Sequence, residues 1–345
     1  MNMLRTLALL CSAPSAALAW IAAGPIANGA VNLFELKDGT KGKDIFSVKV
    51  GAGEELEPNA LTCGRCFCLL LTQSPAARTS TLYNVSFCPA GVSPGAPPSP
   101  GLNSKLTIPA VTTNLHSNYG EGDGGNGYSL TVDKSATPPA HKIVMYDGSA
   151  GPPGTIVPIV DITAHMTVNG EQGQVWPGAT AFCPESNTMW VGVDAPHGAN
   201  DVLLTIDLKT KAVNSVPLRM PIAGGLFANC AKKTAGGVFV MSNGPGRRSV
   251  VMGEYDATGS FKGVDSFNLP KGSNLDMTGI VDTILWQSHP DWNQDVGAVL
   301  LTTGMDGTQT MPGAVFTSKG EKQGQPGAAT LSPLTVGVAA IAVEY

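Results

Sequence analysis

The sequence is poor in charge. Asp, Glu, Lys and Arg make up 14% of its 345 residues, and the net charge is −5. Such a chain has no basic face with which to release counterions from a phosphate backbone, which excludes nucleic acid as a partner. Disorder is excluded too, because 43% of the residues are hydrophobic and the net charge is small. Aromatic residues are few, at 6%, enough for a core but no more. Long apolar runs are missing: none reaches the roughly 18 residues that a bilayer span needs. The run Leu334–Val343 stops before Glu344 and Tyr345 and reads as a buried strand rather than a lipid-anchor signal. Past the first twenty residues no long segment repeats its apolar residues every 3.6 positions, so helix is expected to be minor.

What is present begins with an export signal. Arg5 gives a positive start, Leu7–Leu10 open an apolar stretch, and Ala17-Leu18-Ala19 is a small-x-small cleavage site. Residues 1–19 therefore read as a secretory signal peptide and residues 20–345 as one secreted domain. Six cysteines follow: Cys63, Cys66, Cys68, Cys88, Cys183 and Cys230. An even count in an exported chain favours disulfides. The cluster C-G-R-C-F-C has no second Cys/His pair at zinc spacing, so metal is the weaker reading. Cys66 and Cys68 share one face of a strand, and Cys88 lies on the strand beyond the next turn. A bond from Cys88 to Cys66 or Cys68 across that hairpin is expected, with Cys183–Cys230 as a second, between neighbouring units. Asn84-Val85-Ser86 is a glycosylation sequon in the same hairpin.

Six stretches share one layout: an apolar strand, a polar turn often carrying Asp or Gly, and a second strand. They begin near Val31, Leu82, Ile143, Val202, Val250 and Val315, at a mean spacing of about 57 residues. A long repeat built only of strands and turns predicts an all-β chain, a six-bladed β-propeller. The first hairpin, Val31–Val50, lacks two preceding inner strands, and the C-terminal run Ala328–Val343 lacks a following outer hairpin. Pairing of these N- and C-terminal segments would complete one blade and remove the open sheet edges.

The segments A-T-A-F-C-P-E-S-N-T-M-W-V-G-V-D (Ala179–Asp194), D-V-L-L-T-I-D-L-K-T-K-A-V (Asp201–Val213) and S-V-V-M-G-E-Y-D-A-T-G-S-F (Ser249–Phe261) carry a likeness. The chain resembles six-bladed propellers with NHL-repeat or gluconolactonase-like blades, most clearly over Trp176–Phe267. The resemblance implies the fold, which enzymes and binding modules share. It also implies, for the enzymes, a divalent cation held at the tunnel mouth by Glu, Asn and Asp at the starts of inner strands. Glu57 and Asp276 are the candidate acidic ligands, but Gly178 stands where the Asn would be.

Other motifs carry little. G-V-S-P-G (Gly91–Gly95) has the letters of a nucleophile elbow inside a Pro-rich loop that cannot start a helix. G-E-G-D-G-G (Gly120–Gly125) matches a dinucleotide fingerprint, yet its Glu121 and Asp123 would repel a pyrophosphate. Those same two residues, with flexible glycines around them, suit calcium or a solvated turn equally in kind. W-Q-S-H-P-D-W-N-Q-D sets Trp286 and Trp292 beside His289, Asp291 and Asn293; aromatic faces next to amides and carboxylates suit a sugar or another amphipathic ligand. Both insertions are expected to join first and second strands, on the same face of the ring. The five histidines form no local ligand pair and are expected in ordinary turn or surface roles.

The expectation is a secreted monomeric β-propeller that binds a small molecule, glycan or protein without catalysis. The alternative is a metal-dependent hydrolase or lactonase using a cation at the central tunnel.

Overall fold

The structure is a computed structural model. It describes residues 20–37, 40–63, 67–86, 101–117, 126–146, 156–175, 178–183, 186–196, 200–222, 225–229, 237–243, 249–268, 295–301, 314–320, 329–333 and 340–343. Almost all of them lie in strands. The first three are β1 (Trp20–Ala23), β2 (Ala30–Lys37) and β3 (Thr40–Lys49). Next come β4 (Glu55–Cys63), β5 (Phe67–Ser74), β6 (Thr79–Ser86) and β7 (Gly101–Ile108), followed by β8 (Val111–Ser117), β9 (Gly127–Asp133), β10 (Ala140–Tyr146) and β11 (Ile156–Asp161). A 3-10 turn (Thr163–His165) and a ribbon of β12 (Thr167–Val168) and β13 (Glu171–Gln172) lead to β14 (Thr180–Cys183), β15 (Thr188–Val193), β16 (Val202–Asp207) and β17 (Val213–Pro217). The chain continues through β18 (Gly225–Asn229), β19 (Gly237–Asn243), β20 (Ser249–Asp256), β21 (Phe261–Asn268), β22 (Asp295–Leu301), β23 (Ala314–Gly320), β24 (Ala329–Pro333) and β25 (Ala340–Val343). Among the described residues no helix is long and apolar enough to cross a membrane.

The strands make antiparallel sheets in the orders β4-β5-β6-β7, β8-β9-β10-β11, β14-β15-β16-β17 and β18-β19-β20-β21, with β22-β23-β24 as a described sheet of three. Each is a meander, because strands consecutive in the sequence pair as neighbours. All six repeat stretches read from the sequence fall in separate sheets, on β2, β6, β10, β16, β20 and β23. In the four-stranded sheets these are the third strands. The innermost strands β25, β4, β8, β14 and β18 pack in succession, each against the next. This is the arrangement of a β-propeller.

The chain ends meet in the sheet β25-β1-β2-β3, where Trp20 faces Val343 and Ala23 faces Ala340. The division of strands differs from the expectation. The N-terminal segment supplies three strands rather than two, since Trp-Ile-Ala-Ala at 20–23 is a strand of its own. Only β25 comes from the C-terminus, and β24 belongs to the preceding sheet. The short apolar β1 sits directly behind the expected signal peptide, where its hydrophobicity merges with that of the signal.

The core lies between sheets. One apolar cluster joins Ile21, Val31 and Leu33 to Leu56, Leu61, Leu70 and Tyr83, and on to Val144 and Tyr146. A second joins Leu130 and Ile143 to Met189, Val191 and Leu204. A third joins Trp190 and Leu203 to Leu226, Val238 and Tyr255. Period-2 alternation sends successive side chains of one strand to two different clusters: Met189 and Val191 go one way, Trp190 the other.

The turns that close the outer hairpins show why the repeat carries Asp and Gly. Asp207 Oδ1 accepts the backbone N–H groups of Lys209 (2.8 Å) and Thr210 (3.0 Å). Asp256 Oδ1 accepts those of Thr258 and Ser260, both at 2.9 Å, and its Oδ2 pairs with Lys262 at 2.7 Å. Each turn then needs one left-handed residue: Gly259 at φ +83° in one, Lys211 at φ +64° in the other. The Gly259 turn also seats on the sheet before it, where Asn214 Nδ2 donates to Thr258 O at 2.9 Å.

Of the two bonds expected for Cys88, the one to Cys68 is excluded. Cys68 bonds to Cys63, with a Cα–Cα distance of 4.1 Å. The register explains it: Cys63 and Cys68 face each other across β4 and β5, whereas Cys68 faces Val85 across β5 and β6, three residues short of Cys88. Cys183 is disulfide-bonded as well. Its expected partner Cys230, and both members of the alternative Cys66–Cys88 pair, lie outside the described residues.

Two outcomes follow from this architecture. Removing Ala340–Tyr345 strips β1 of its partner, and the melting temperature is expected to fall by about 10 °C or more, the equivalent of roughly 3–5 kcal/mol; a melting curve like that of the parent would exclude stabilisation by the joined ends. Replacing Lys211 by Gly relieves a left-handed side chain at a small entropic cost, so urea unfolding should show a gain of about 0.5 kcal/mol. A loss would mean that the Lys211 stem packs more than its strain costs.

Candidate functional site

The starts of the inner strands are where a propeller enzyme would hold its ion; one acidic group, Glu54, stands at such a start, and a second, Asp201, stands at the start of a third strand. Glu54 directly precedes β4. Its Oε2 accepts hydrogen bonds from the hydroxyls of Thr72 and Tyr83, both at 2.7 Å, and its Oε1 accepts one from Thr81 at 2.9 Å. Burial opposes its ionisation, but these bonds and one from the Gly51 backbone outweigh it and hold the carboxyl below its ordinary value. Burial, then the bond to Glu54 and its negative charge, push the Tyr83 hydroxyl well up. The result is a saturated clamp that ties the β3–β4 connection to β5 and β6.

Asp201 precedes β16 and is buried. Its Oδ1 accepts the N–H of Ala195 (3.0 Å) and its Oδ2 that of Ile222 (2.7 Å), while its backbone oxygen accepts Leu218 N–H (2.7 Å). One side chain thus joins the β15–β16 turn to the strap that carries the chain toward β18. Burial raises its pKa; the two N–H groups oppose this, and the charge of Asp194 and a hydrogen bond between the two carboxyls add to the rise.

At the other ends of these strands, where first strand turns into second, lie the disulfide cysteines Cys63, Cys68 and Cys183 and the imidazole of His116. His116 is the next-to-last residue of β8, and its Nε2 lies 2.7 Å from Thr180 Oγ1 on β14, so the bond crosses from one inner strand to the next. Phe182 stands 6.5 Å from its ring and stacks in turn on Tyr128 at 4.8 Å. Burial pushes the imidazole down to about 4, which keeps it neutral at physiological pH.

The expected site residues are placed as follows. Glu57 lies within β4. Gly178, in the position of the implied Asn, offers only backbone, and its carbonyl accepts Leu226 N–H at 2.8 Å. Among the described residues no group of three or more His, Cys, Asp or Glu comes together as a metal site. Asp276, Glu121, Asp123, Trp286, His289, Asp291, Trp292 and Asn293 lie outside the described residues. The described strands that follow these positions in the sequence are β9, which begins at Gly127, and β22, which begins at Asp295.

Asn84 is 7% exposed in the middle of β6, paired on both sides with Leu69 and Ser104. His116 is half-buried and its bond reaches another sheet, while His141 makes a turn bond of the expected kind. His141 is 5% exposed, its Nδ1 lies 3.0 Å from Pro139 O, and burial lowers its pKa. Glu54, Asp201 and His116 were not singled out by motif. The only trace of them in the sequence is a polar residue at a strand boundary or within apolar alternation.

The two carboxyls predict opposite pH responses. Asp201 holds its proton more tightly folded than unfolded, so its contribution is present below the ordinary carboxylate pKa and is lost as pH rises through the raised value. Glu54 does the reverse: its contribution is present above the ordinary value and is lost as pH falls through the lowered one. Asp194→Asn removes the repelling charge and should raise the urea midpoint at pH 7 more than at pH 4. Equal changes at both pH values would separate Asp194 from the titration of Asp201.

No protein-family model matches the sequence, and no curated protein does. Solved structures do resemble the fold. The GH93 α-L-arabinofuranosidase of Fusarium graminearum is 10% identical at a TM-score of 0.43, over 91% of this chain and 92% of that one. A quinonprotein alcohol dehydrogenase-like protein from Bacteroides thetaiotaomicron is 10% identical at 0.44, over 95% and 78%. TolB from Acinetobacter baumannii is 15% identical at 0.37, over 94% and 82%. These are β-propeller proteins. At such values the likeness bears on neither activity nor substrate.

Proposed function

We propose that the chain is a secreted β-propeller that binds an amphipathic ligand, such as a glycan, or a protein partner through the loops between first and second strands, without catalysing a reaction. The observation that carries this reading is the gathering of disulfide cysteines at those same turns. Cys63–Cys68 closes the β4–β5 turn, and Cys183 ends β14. Propeller topology sets such turns on one face of the ring. Loops used for recognition gain affinity when their supports are rigid, because less freedom is lost on binding. In this reading the segments with Trp286, His289, Asp291, Trp292 and Asn293, and with Glu121 and Asp123, supply the recognition loops of this face. Disulfide bonds are compatible with an extracellular setting.

The opposite ends support the reading from the other side. Glu54 and Asp201 have their oxygens engaged by hydroxyls and N–H groups of the protein itself. A hydrolase would need such carboxylates free for a cation and its water. In that alternative Glu57 and Asp276 would hold the ion.

The test is a glycan-array screen of the purified protein beside Trp292→Ala, with metal content measured on the same sample. Binding by the parent is expected, weakened in the variant by about 2 kcal/mol or more at an unchanged melting temperature. A variant destabilised by roughly 3–5 kcal/mol would mean that Trp292 packs in the core. That result, with no ligand found for the parent and a stoichiometric divalent cation bound, would replace the binding module with the hydrolase.

A further inference from the structure

Three hydroxyls meet in the interface between the sheets β4-β5-β6-β7 and β8-β9-β10-β11. Tyr146 ends β10 opposite Gly127 of β9. Because Gly127 has no side chain, the Tyr146 ring lies across it: a Cβ there would come within 3.3 Å of Tyr146 Cδ2 and 2.9 Å of Leu69 Cδ1 from the facing sheet. The phenol is thereby carried over β9 toward Ser129, two residues along on the same face, and toward Thr112 on β8, beside which its hydroxyl comes to rest.

Thr112, Ser129 and Tyr146 are 0%, 0% and 1% exposed. The Thr112 backbone is satisfied from the facing sheet, with Gln73 Nε2 donating to its oxygen and its N–H donating to Ser80 Oγ, both at 2.8 Å. Its side chain is not. The Tyr146 hydroxyl stands near enough to Thr112 and Ser129 to interact with both, but none of Thr112 Oγ1, Ser129 Oγ and Tyr146 Oη completes a hydrogen bond of good distance and angle with a protein atom. An unpaired buried hydroxyl costs about 1–3 kcal/mol, and three together in one place exceed what a native interface leaves unmet. Each hydroxyl both donates and accepts, and three polar partners are what a buried water takes.

We propose that this convergence is a hydration site: one water is held between the second and third sheets by Thr112, Ser129 and Tyr146, and it is part of the fold. The water joins β8, β9 and β10 through one point at the place where Gly127 has removed side-chain contact.

The sign of a mutational effect tests the idea. If the water is there, Tyr146→Phe deletes one of its three partners and should lower the melting temperature by a few degrees, and Ser129→Ala should do likewise. If the hydroxyls are dry and unpaired, removing one relieves a penalty and the melting temperature rises or stays level. A crystal structure of the parent at about 1.5 Å gives the second arm, independent of any variant. Density for a water about 2.7–3.2 Å from the three oxygens supports the site. Direct hydroxyl–hydroxyl bonds with no density between them, or an unchanged or higher melting temperature for Tyr146→Phe, overturns it.

Discussion

Among the described residues the apolar clusters are shared by successive sheets, and strands such as β15 send alternate side chains into two of them. A four-stranded sheet alone would leave both faces wet. The folded state therefore depends on every sheet meeting its neighbours, and the features at the sheet ends exist to make that meeting definite. The low charge of the sequence follows, since a strand buried on two faces has little room for charge.

Several polar groups that enter the interfaces are met from the neighbouring sheet. The inner edge of β8, which has no further strand to pair with in its own sheet, is answered by Gln73 and Ser80 of the sheet before it. Thr180 and His116 answer one another between inner strands. Asn214 reaches the turn of the following sheet. Each bond is worth about 1 kcal/mol net, less than the burial around it, but each has one geometry and so fixes how a sheet rests on the next.

Much of this architecture was legible in the sequence. Among the described turns, those after β16 and β20 are Asx turns at Asp207 and Asp256, so Val202 and Val250 announced their sheets through local chemistry alone. What is local in space but not in sequence was not legible. The Cys63–Cys68 bond depends on a register that shifts within β4, between Leu56 and Leu61, and a shift of that kind leaves no signature in residue type. β1 was missed because Trp20–Ala23 continues the hydrophobic stretch that reads as a signal peptide. The candidate site was legible only in part. The Trp-containing segment stands out by composition, whereas Glu54, Asp201 and His116 gain their character from partners 6 to 64 residues away.

The facing of Trp20 and Val343 has a practical consequence. Opposed residues of antiparallel strands lie about 5 Å apart, so a few glycines could connect the two positions without disturbing either strand. The polypeptide could then be opened elsewhere, for instance at the exposed turn Pro75–Arg78, to give a circular permutant with the same strand pairings. In such a molecule β25 and β1 would be one continuous hairpin, and the sheet they belong to would form early from neighbouring residues instead of last from distant ones.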